Sequence, residues 1–505
     1  MPDETSPLPE LVRTSFPLSS AQADIWFGQI LDPKSVYFNI ARFVEISGSI
    51  DSALFEQALR RAVQEIDCLH ICFIDTEAGP RQYLHLATNF NLPVIDVSGN
   101  DDPRATAVAW MREDMDRPFD LAHGPLFRYA LFKIADDRFF WYQANHHIIN
   151  DVAGAALVEQ HVGELYRALI EGVEPSVETP SSCLDLLADE ETYRLAGRYE
   201  RDRRYWHEQL AGWPTAATLS GRPPAWPEAL IESSGDIPRA VVDALAKLGA
   251  AHGASLPAVM TAISAIYLSR MTGARDLILG IPVTARTSAE LRRIAGLTAN
   301  VVPLRLDVDL AAPLGDVLRQ AGRRMRDALR HQRYGGGALR RDLGLAPDEP
   351  NLYGTLFNFI AMDEGGDFAG CPIRTQNLGN WRVEDLLITV LSGSQAGDLH
   401  LKMIGSAAHY DRETLDHHQR RLLHLIESIV AAPDQTIGQL AILAIDERQS
   451  MLDASTSVAA PVSSTFPELF EAEAARLPDA VAVSFGDTGL SYGELNRRAN
   501  GLAHR

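Results

Sequence analysis

Phe139-Phe140-Trp141-Tyr142-Gln143-Ala144-Asn145-His146-His147-Ile148-Ile149-Asn150-Asp151 is the stretch on which the reading of this chain turns. Aromatic residues lead in, so 139–145 is expected to be a buried strand. From Ala153 onward Leu157, His161, Leu165 and Leu169 recur every fourth residue, which predicts a helix. Two histidines and a carboxylate therefore stand where a strand gives way to a helix, a place where the backbone fixes reactive tips. Imidazole exchanges a proton near neutrality. Neighbours on an extended chain point to opposite sides, so of His146 and His147 one is expected to work and the other to pack inside. Asp151 can return near His147 through a turn, to orient the ring or to brace the loop through an arginine elsewhere. Read alone, the pair is as compatible with two structural histidines and a solvated aspartate. A metal site lacks a second His, Cys and carboxylate cluster at ligand spacing.

The whole chain sets bounds. Its 505 residues suffice for two or three domains. A net charge of −21, from 67 acidic against 46 basic residues, argues against nucleic-acid binding. That balance suits a soluble cytoplasmic protein. Cys68, Cys72, Cys183 and Cys371 are too few for a disulfide framework. The acidic start Met1-Pro2-Asp3-Glu4-Thr5 is no signal peptide, and no apolar run is long enough for a membrane helix.

Taken in order, residues 1–13 read as a loose tail. Ser19 or Ser20 caps a helix through Trp26, 37–44 reads as a strand, and Asp51 caps a helix bearing Leu54, Ala58 and Ala62. Residues 68–74 and 81–86 look like a strand pair turning at Ala78-Gly79-Pro80. A helix over 103–114 and strands over 127–134 and 139–145 complete one α/β lobe. A charged helix is expected over 190–210, then helices over 239–252 and 256–271 and strands over 276–283 and 301–308. A helix over 314–331 stops at Gly335-Gly336-Gly337, which reads as a flexible point. Strands over 353–361, 386–392 and 399–404 and a helix over 412–431 close a second lobe of similar content. Residues 454–464 read as a linker.

The motifs, in order, resemble those of condensation domains of nonribosomal peptide synthetases. His146-His147-Ile148-Ile149-Asn150-Asp151 resembles their HHxxxDG motif, and Leu18-Ser19-Ser20-Ala21-Gln22-Ala23-Asp24-Ile25-Trp26 their first motif. Pro118-Phe119-Asp120-Leu121, Ala295-Gly296-Leu297-Thr298-Ala299-Asn300-Val301-Val302-Pro303-Leu304 and His331-Gln332-Arg333-Tyr334 match further segments. The likeness runs from about 14 to 448. It departs at Val152, where the family has glycine and Gly154 is the next one, and at His70, where the family usually has arginine. Two chloramphenicol-acetyltransferase-like lobes are implied, a V-shaped pseudo-dimer with a central tunnel, spanning 14–180 and 181–450. A linker over 451–464 and an incomplete adenylation-domain start over 465–505 would follow, the latter from Phe466-Pro467-Glu468-Leu469-Phe470-Glu471 and Leu490-Ser491-Tyr492-Gly493-Glu494-Leu495.

The implied reaction is amide formation between a donor acyl thioester and an acceptor aminoacyl thioester, both on phosphopantetheine arms, with no cofactor or metal held by this chain. His147 would meet the amine. His146 would pack, and Asp151 would pair with Arg286 through a bidentate contact. Val152, Gly154 and Asn300 would face the tunnel. With no nucleophile-elbow Ser or Cys, no acyl-enzyme is expected. The donor carrier is expected in trans, because the chain starts almost at the first motif. The acceptor carrier is expected downstream of the adenylation domain. The alternatives are a coenzyme-A-dependent acyltransferase of the same fold, an epimerisation domain, and a silent docking domain that only recruits carriers.

Overall fold

A capping box starts the first helix. Ser19 Oγ accepts from the Gln22 N–H at 3.2 Å and Gln22 Oε1 accepts from the Ser19 N–H at 2.9 Å, satisfying donors that a helix start otherwise leaves bare. The computed structural model describes residues 14–85, 90–175, 178–224, 229–346, 352–360, 366–379, 383–392, 397–456, 465–485 and 488–504. The expected tail, 1–13, lies outside them.

In the first lobe the elements run β1 (Phe16–Pro17), α1 (Ser20–Leu31), β2 (Asn39–Ser47), α2 (Ser52–Glu65), β3 (Ile71–Ile74), β4 (Arg81–Leu84), β5 (Val94–Asp96), α3 (Pro103–Met115), β6 (Phe127–Ala135), β7 (Arg138–His146) and α4 (Val152–Glu171). Helices α5 (Asp185–Leu195) and α6 (Gly197–Gln209) follow. Where one helix is expected over 190–210, the chain breaks at Ala196, which is extended. Tyr193 Oη donates to Asp202 Oδ2 across the break at 2.9 Å, which ties the two pieces together. The second lobe runs β8 (Leu230–Ile237), α7 (Arg239–Ala251), α8 (Leu256–Thr272), β9 (Asp276–Val283), β10 (Asn300–Asp307), α9 (Leu314–Arg330), α10 (Gly336–Asp342), β11 (Thr355–Ile360), β12 (Asp367–Phe368), β13 (Cys371–Gly379), β14 (Leu386–Ser392), β15 (Leu399–Ser406) and α11 (Arg412–Ala431).

Strand β7 lies inside a six-stranded sheet of order β12-β13-β2-β7-β6-β5. Both its faces are covered, which is why its sequence is an unbroken apolar run rather than an alternation. Trp141 meets Phe55 of α2 with ring centroids 5.3 Å apart, and Tyr142 meets Trp110 of α3 at 5.9 Å. The second lobe has its own six-stranded sheet, β10-β9-β11-β14-β15-β8. Helix α8 is buried along most of its length in that lobe's core.

A clean division at 180/181 does not survive. Strands β12 and β13 come from second-lobe sequence yet complete the first lobe's sheet, with Ile373 opposite Ile46 and Thr375 opposite Val44. Phe368 enters the first core and stacks on Tyr166 with centroids 5.5 Å apart. A second intrusion brings Leu291, Ile294, Ala295 and Leu297 into that same core. The lobes thus interpenetrate. The triple glycine is also not a loose point: Gly335 caps α10, and the Gly337 N–H donates to Asp24 Oδ2 of α1 at 3.1 Å. A Cβ on Gly337 would come within 2.0 Å of Asp24 Oδ1, so glycine serves close approach there.

Residues 443–505 form a separate unit. It holds helices Ile445–Thr456, Phe466–Arg476 and Tyr492–Ala503 and an antiparallel pair, Val481–Phe485 with Thr488–Ser491. The expected linker accordingly begins as helix over 451–456, and 457–464 lie outside the described residues.

Candidate functional site

At the end of β7 the two histidines part as strand geometry requires. His146 is 1 % exposed, packed between Phe38 and Phe119, with Nε2 3.0 Å from Gln29 Oε1. Burial, with a smaller push from His147, lowers its pKa to about 3, so it stays neutral. His147 turns the other way and is half-buried. Its backbone N–H donates to the Phe38 carbonyl at 2.7 Å and its Nδ1 lies 2.9 Å from the Asn150 carbonyl. A carbonyl only accepts, so Nδ1 carries a proton, and in the neutral ring Nε2 is the nitrogen with the lone pair. A neutral imidazole fixed in that tautomer can take a hydrogen bond or a proton from an incoming amine.

Asp151 ends the turn and caps α4, its Oδ1 accepting from the Gly154 N–H at 2.8 Å. Its Oδ2 accepts from Arg286 Nη1 at 2.7 Å and from the Thr298 and Ala299 N–H groups, each at 3.0 Å. Arg286 is carried by the second lobe, so this buried pair joins the lobes. Burial pushes the Asp151 pKa up. The Arg286 charge and the N–H groups of Gly154 and Thr298 outweigh it and hold the carboxyl below its ordinary range. The expected bidentate contact is not formed. Oδ1 is committed to the helix cap, and Arg286 Nη2 instead donates to the Ile294 and Gly296 carbonyls at 3.3 and 2.9 Å. Arg286 follows Ala285, whose φ of 52° is left-handed. That conformation costs an L-residue about 1–2 kcal/mol. It is held by the Ala285 N–H donating to Gln332 Oε1 at 3.0 Å.

Three candidates for the substrate path fare differently. Val152 is the first residue of α4 and 47 % exposed. Gly154 does not face substrate: a Cβ there would lie 1.9 Å from Asn150 Oδ1 and 2.8 and 2.9 Å from the Gly296 backbone N and O. It is glycine because two backbones from different lobes meet. Gly154→Ala should therefore lose about 1–3 kcal/mol of stability, read as a lower urea midpoint at unchanged slope. A midpoint equal to wild type would show that the contact yields freely. Asn300 is spent on structure as well, its Nδ2 donating to the Gln332 and Tyr334 carbonyls at 3.0 and 2.8 Å and its Oδ1 accepting from Val301 and Gly336 N–H groups.

Gln29, Asn150, Ala285 and Thr298 also shape the site. Thr298 Oγ1 donates to the Thr284 carbonyl at 2.7 Å and so accepts from Arg286 Nη1. Asn150 and Thr298 lie inside the quoted motifs without a role of their own there, and Gln29 and Ala285 act through hydrogen bonds to distant segments, which leave no local sequence signal. His331 faces Asp202 at 2.7 Å and stacks on Tyr205, a structural use. Beside the His146 side of the strand lies an open apolar cleft of about 610 Å³, lined in part by Trp26, Gln29, Ile30, Phe73 and Phe119. Among the described residues no group of three or more His, Cys, Asp or Glu side chains could hold a metal ion, and no single helix is long and apolar enough to cross a membrane.

The sequence profile of the condensation domain matches residues 12–452. A dimodular nonribosomal peptide synthase of Bacillus subtilis (strain 168) is 34% identical over 497 residues, 98% of this chain and 21% of that protein. An isonitrile lipopeptide synthase of Streptomyces coeruleorubidus is 34% identical over 502 residues, 97% of this chain and 33% of that protein. The chain thus spans about a fifth to a third of these relatives. Among solved structures, a mutant starter condensation domain of rhizomide synthetase, in complex with C8-CoA and Leu-SNAC, has a TM-score of 0.80 and 36% identity, covering 87% of this chain and 100% of that one. The first condensation domain of the calcium-dependent antibiotic synthetase, bound to a substrate analogue, has a TM-score of 0.77 and 29% identity, covering 85% of this chain and 99% of that one.

Proposed function

The chain belongs to the condensation-domain family of nonribosomal peptide synthetases, and from that premise we propose that it forms an amide bond between two thioesters, with His147 as the group that meets the acceptor amine. The observation that carries this is the half-buried His147 ring, its Nδ1 proton given to Asn150 and its Nε2 lone pair presented. The acceptor nitrogen attacks the donor carbonyl, the C–N bond forms and the C–S bond breaks. The amine proton passes to His147 Nε2 and leaves with the thiol. Thioesters are already activated, so alignment in a path between the lobes supplies much of the remaining acceleration. Both substrates arrive on 4′-phosphopantetheine arms of partner carrier domains. His146, Asp151 and Arg286 act by support.

A donor delivered in trans is supported by the likeness to a starter condensation domain whose crystals hold C8-CoA. Residues 465–505 we assign to the opening of an adenylation domain. Relatives align over 97–98% of this chain, which takes in residues past the end of the condensation profile at 452. An acceptor carrier would follow that domain. The four unpaired cysteines favour the cytoplasm.

The test is amide formation from an acyl thioester and an aminoacyl carrier, followed by mass of the carrier-bound product. Carrier binding without product would instead mark a silent docking domain. An acyl group trapped on any side chain of this protein during turnover would reject direct attack.

Val152 is proposed to narrow the acceptor side. A β-branched residue next to Asp151 has little rotamer freedom, and its side chain stands exposed. Val152→Gly should extend turnover to bulkier acceptors while leaving donor choice unchanged. A size profile identical to wild type removes Val152 from the acceptor path.

A further inference from the structure

Gln29 lies on α1, far in sequence from the histidines, and is 4 % exposed. Its Nε2 donates to the Asp32 and Ser35 carbonyls at 2.9 and 3.1 Å, which fixes the end of the amide that points away from them. The end left is Oε1, 3.0 Å from His146 Nε2. An amide oxygen cannot donate, so His146 must carry its proton on Nε2. Its Nδ1 is then a lone pair, and the Ile148 N–H donates to it at 3.2 Å. The Ile149 N–H donates to the His146 carbonyl at 3.2 Å. These bonds shape the turn whose next members are the His147 ring and the Asn150 carbonyl that receives its proton.

We propose that Gln29 is a positioning residue for His147: it sets the tautomer of His146, and that tautomer holds the turn that aims the His147 ring. The proposal rests on the reading of His147 as the group that meets the amine. In the opposite tautomer two N–H groups, His146 Nδ1–H and Ile148 N–H, would face each other, and the turn would lose its bond. Phe38 and Phe119 pack on the His146 ring, Gln29 meets its edge, and His147 is the titratable group that acts on it. Wild-type His146 therefore stays neutral through the working range, and the device is silent.

Gln29→Glu tests it. The carboxylate keeps the shape and the acceptor but loses both donors and favours a doubly protonated His146, whose new Nδ1–H opposes Ile148. The pH profile of kcat should gain a second acid limb absent from wild type, with kcat down about tenfold on its acid side. Gln29→Met should lower kcat at all pH values with the acceptor KM unchanged. Nitrogen NMR of the histidine-labelled wild-type protein should show His146 protonated at Nε2, and this reading stands even if a variant fails to fold. A wild-type His146 protonated at Nδ1, or a Gln29→Glu profile that superposes on wild type, overturns the proposal. If His147→Ala is fully active while His146 shows the Nε2 proton, the role of His147 fails and the tautomer assignment stands alone.

Discussion

His147→Ala should slow amide formation by about two to four orders of magnitude, the range that a positioned acid–base group contributes, while the protein stays folded. The ring is half-buried and, among the described residues, its side chain hydrogen-bonds to Asn150 alone, so its loss should cost only about 1 kcal/mol of stability. His146→Ala should behave in the opposite sense. It empties a space between Phe38 and Phe119 and strips Gln29 and the Ile148 N–H of their partner, so stability should fall together with activity. The comparison needs product formation and a thermal melt on the same preparations. A His147→Ala protein that turns over at the wild-type rate ends its assignment as the group meeting the amine.

Asp151→Ala should be the most destabilising single change at the site, by about 3–5 kcal/mol, because it leaves a guanidinium buried without its partner. Arg286 is 7 % exposed and sits between two second-lobe carbonyls. The same change uncaps α4 and frees the Thr298 and Ala299 N–H groups. Asp151 is held below its ordinary pKa, so its contribution is complete above the unfolded value of about 3.9 and is lost as pH falls through the lower folded value. Urea unfolding should therefore show a gap between wild type and Asp151→Ala that is constant from about pH 5 to 8 and closes below about pH 4. A heat-stable, inactive Asp151→Ala would show that the pair is not a brace.

What could be read beforehand follows from which contacts are local. The split between His146 and His147 is a property of one strand, so alternation gives it. The pairing of Asp151 with Arg286 spans 135 positions and came only with the family likeness. The same likeness implies that Gly154 and Asn300 face the tunnel. In the first, the missing side chain makes room for the Gly296 backbone of the other lobe, not for a ligand. In the second, every polar atom is taken up by the 332–336 segment and its own strand. Strands β8 and β13 carry little strand signal because each is half-exposed: Glu232, Ser234 and Asp236, or Arg374, Gln376 and Asn377, dilute any apolar period.

Strand β13 has a consequence for chimeric synthetases. A crossover at 180/181 looks like a seam, yet it exchanges two strands, β12 and β13, of the half it leaves behind. The incoming sequence would lay a foreign strand along β2 and a foreign plug into the place Phe368 holds against Tyr166 and Phe55. A mismatch would bare a long edge, which invites aggregation. A graft that leaves the first half's core intact would retain both 366–379 and the 291–297 segment, with crossovers on each side of each.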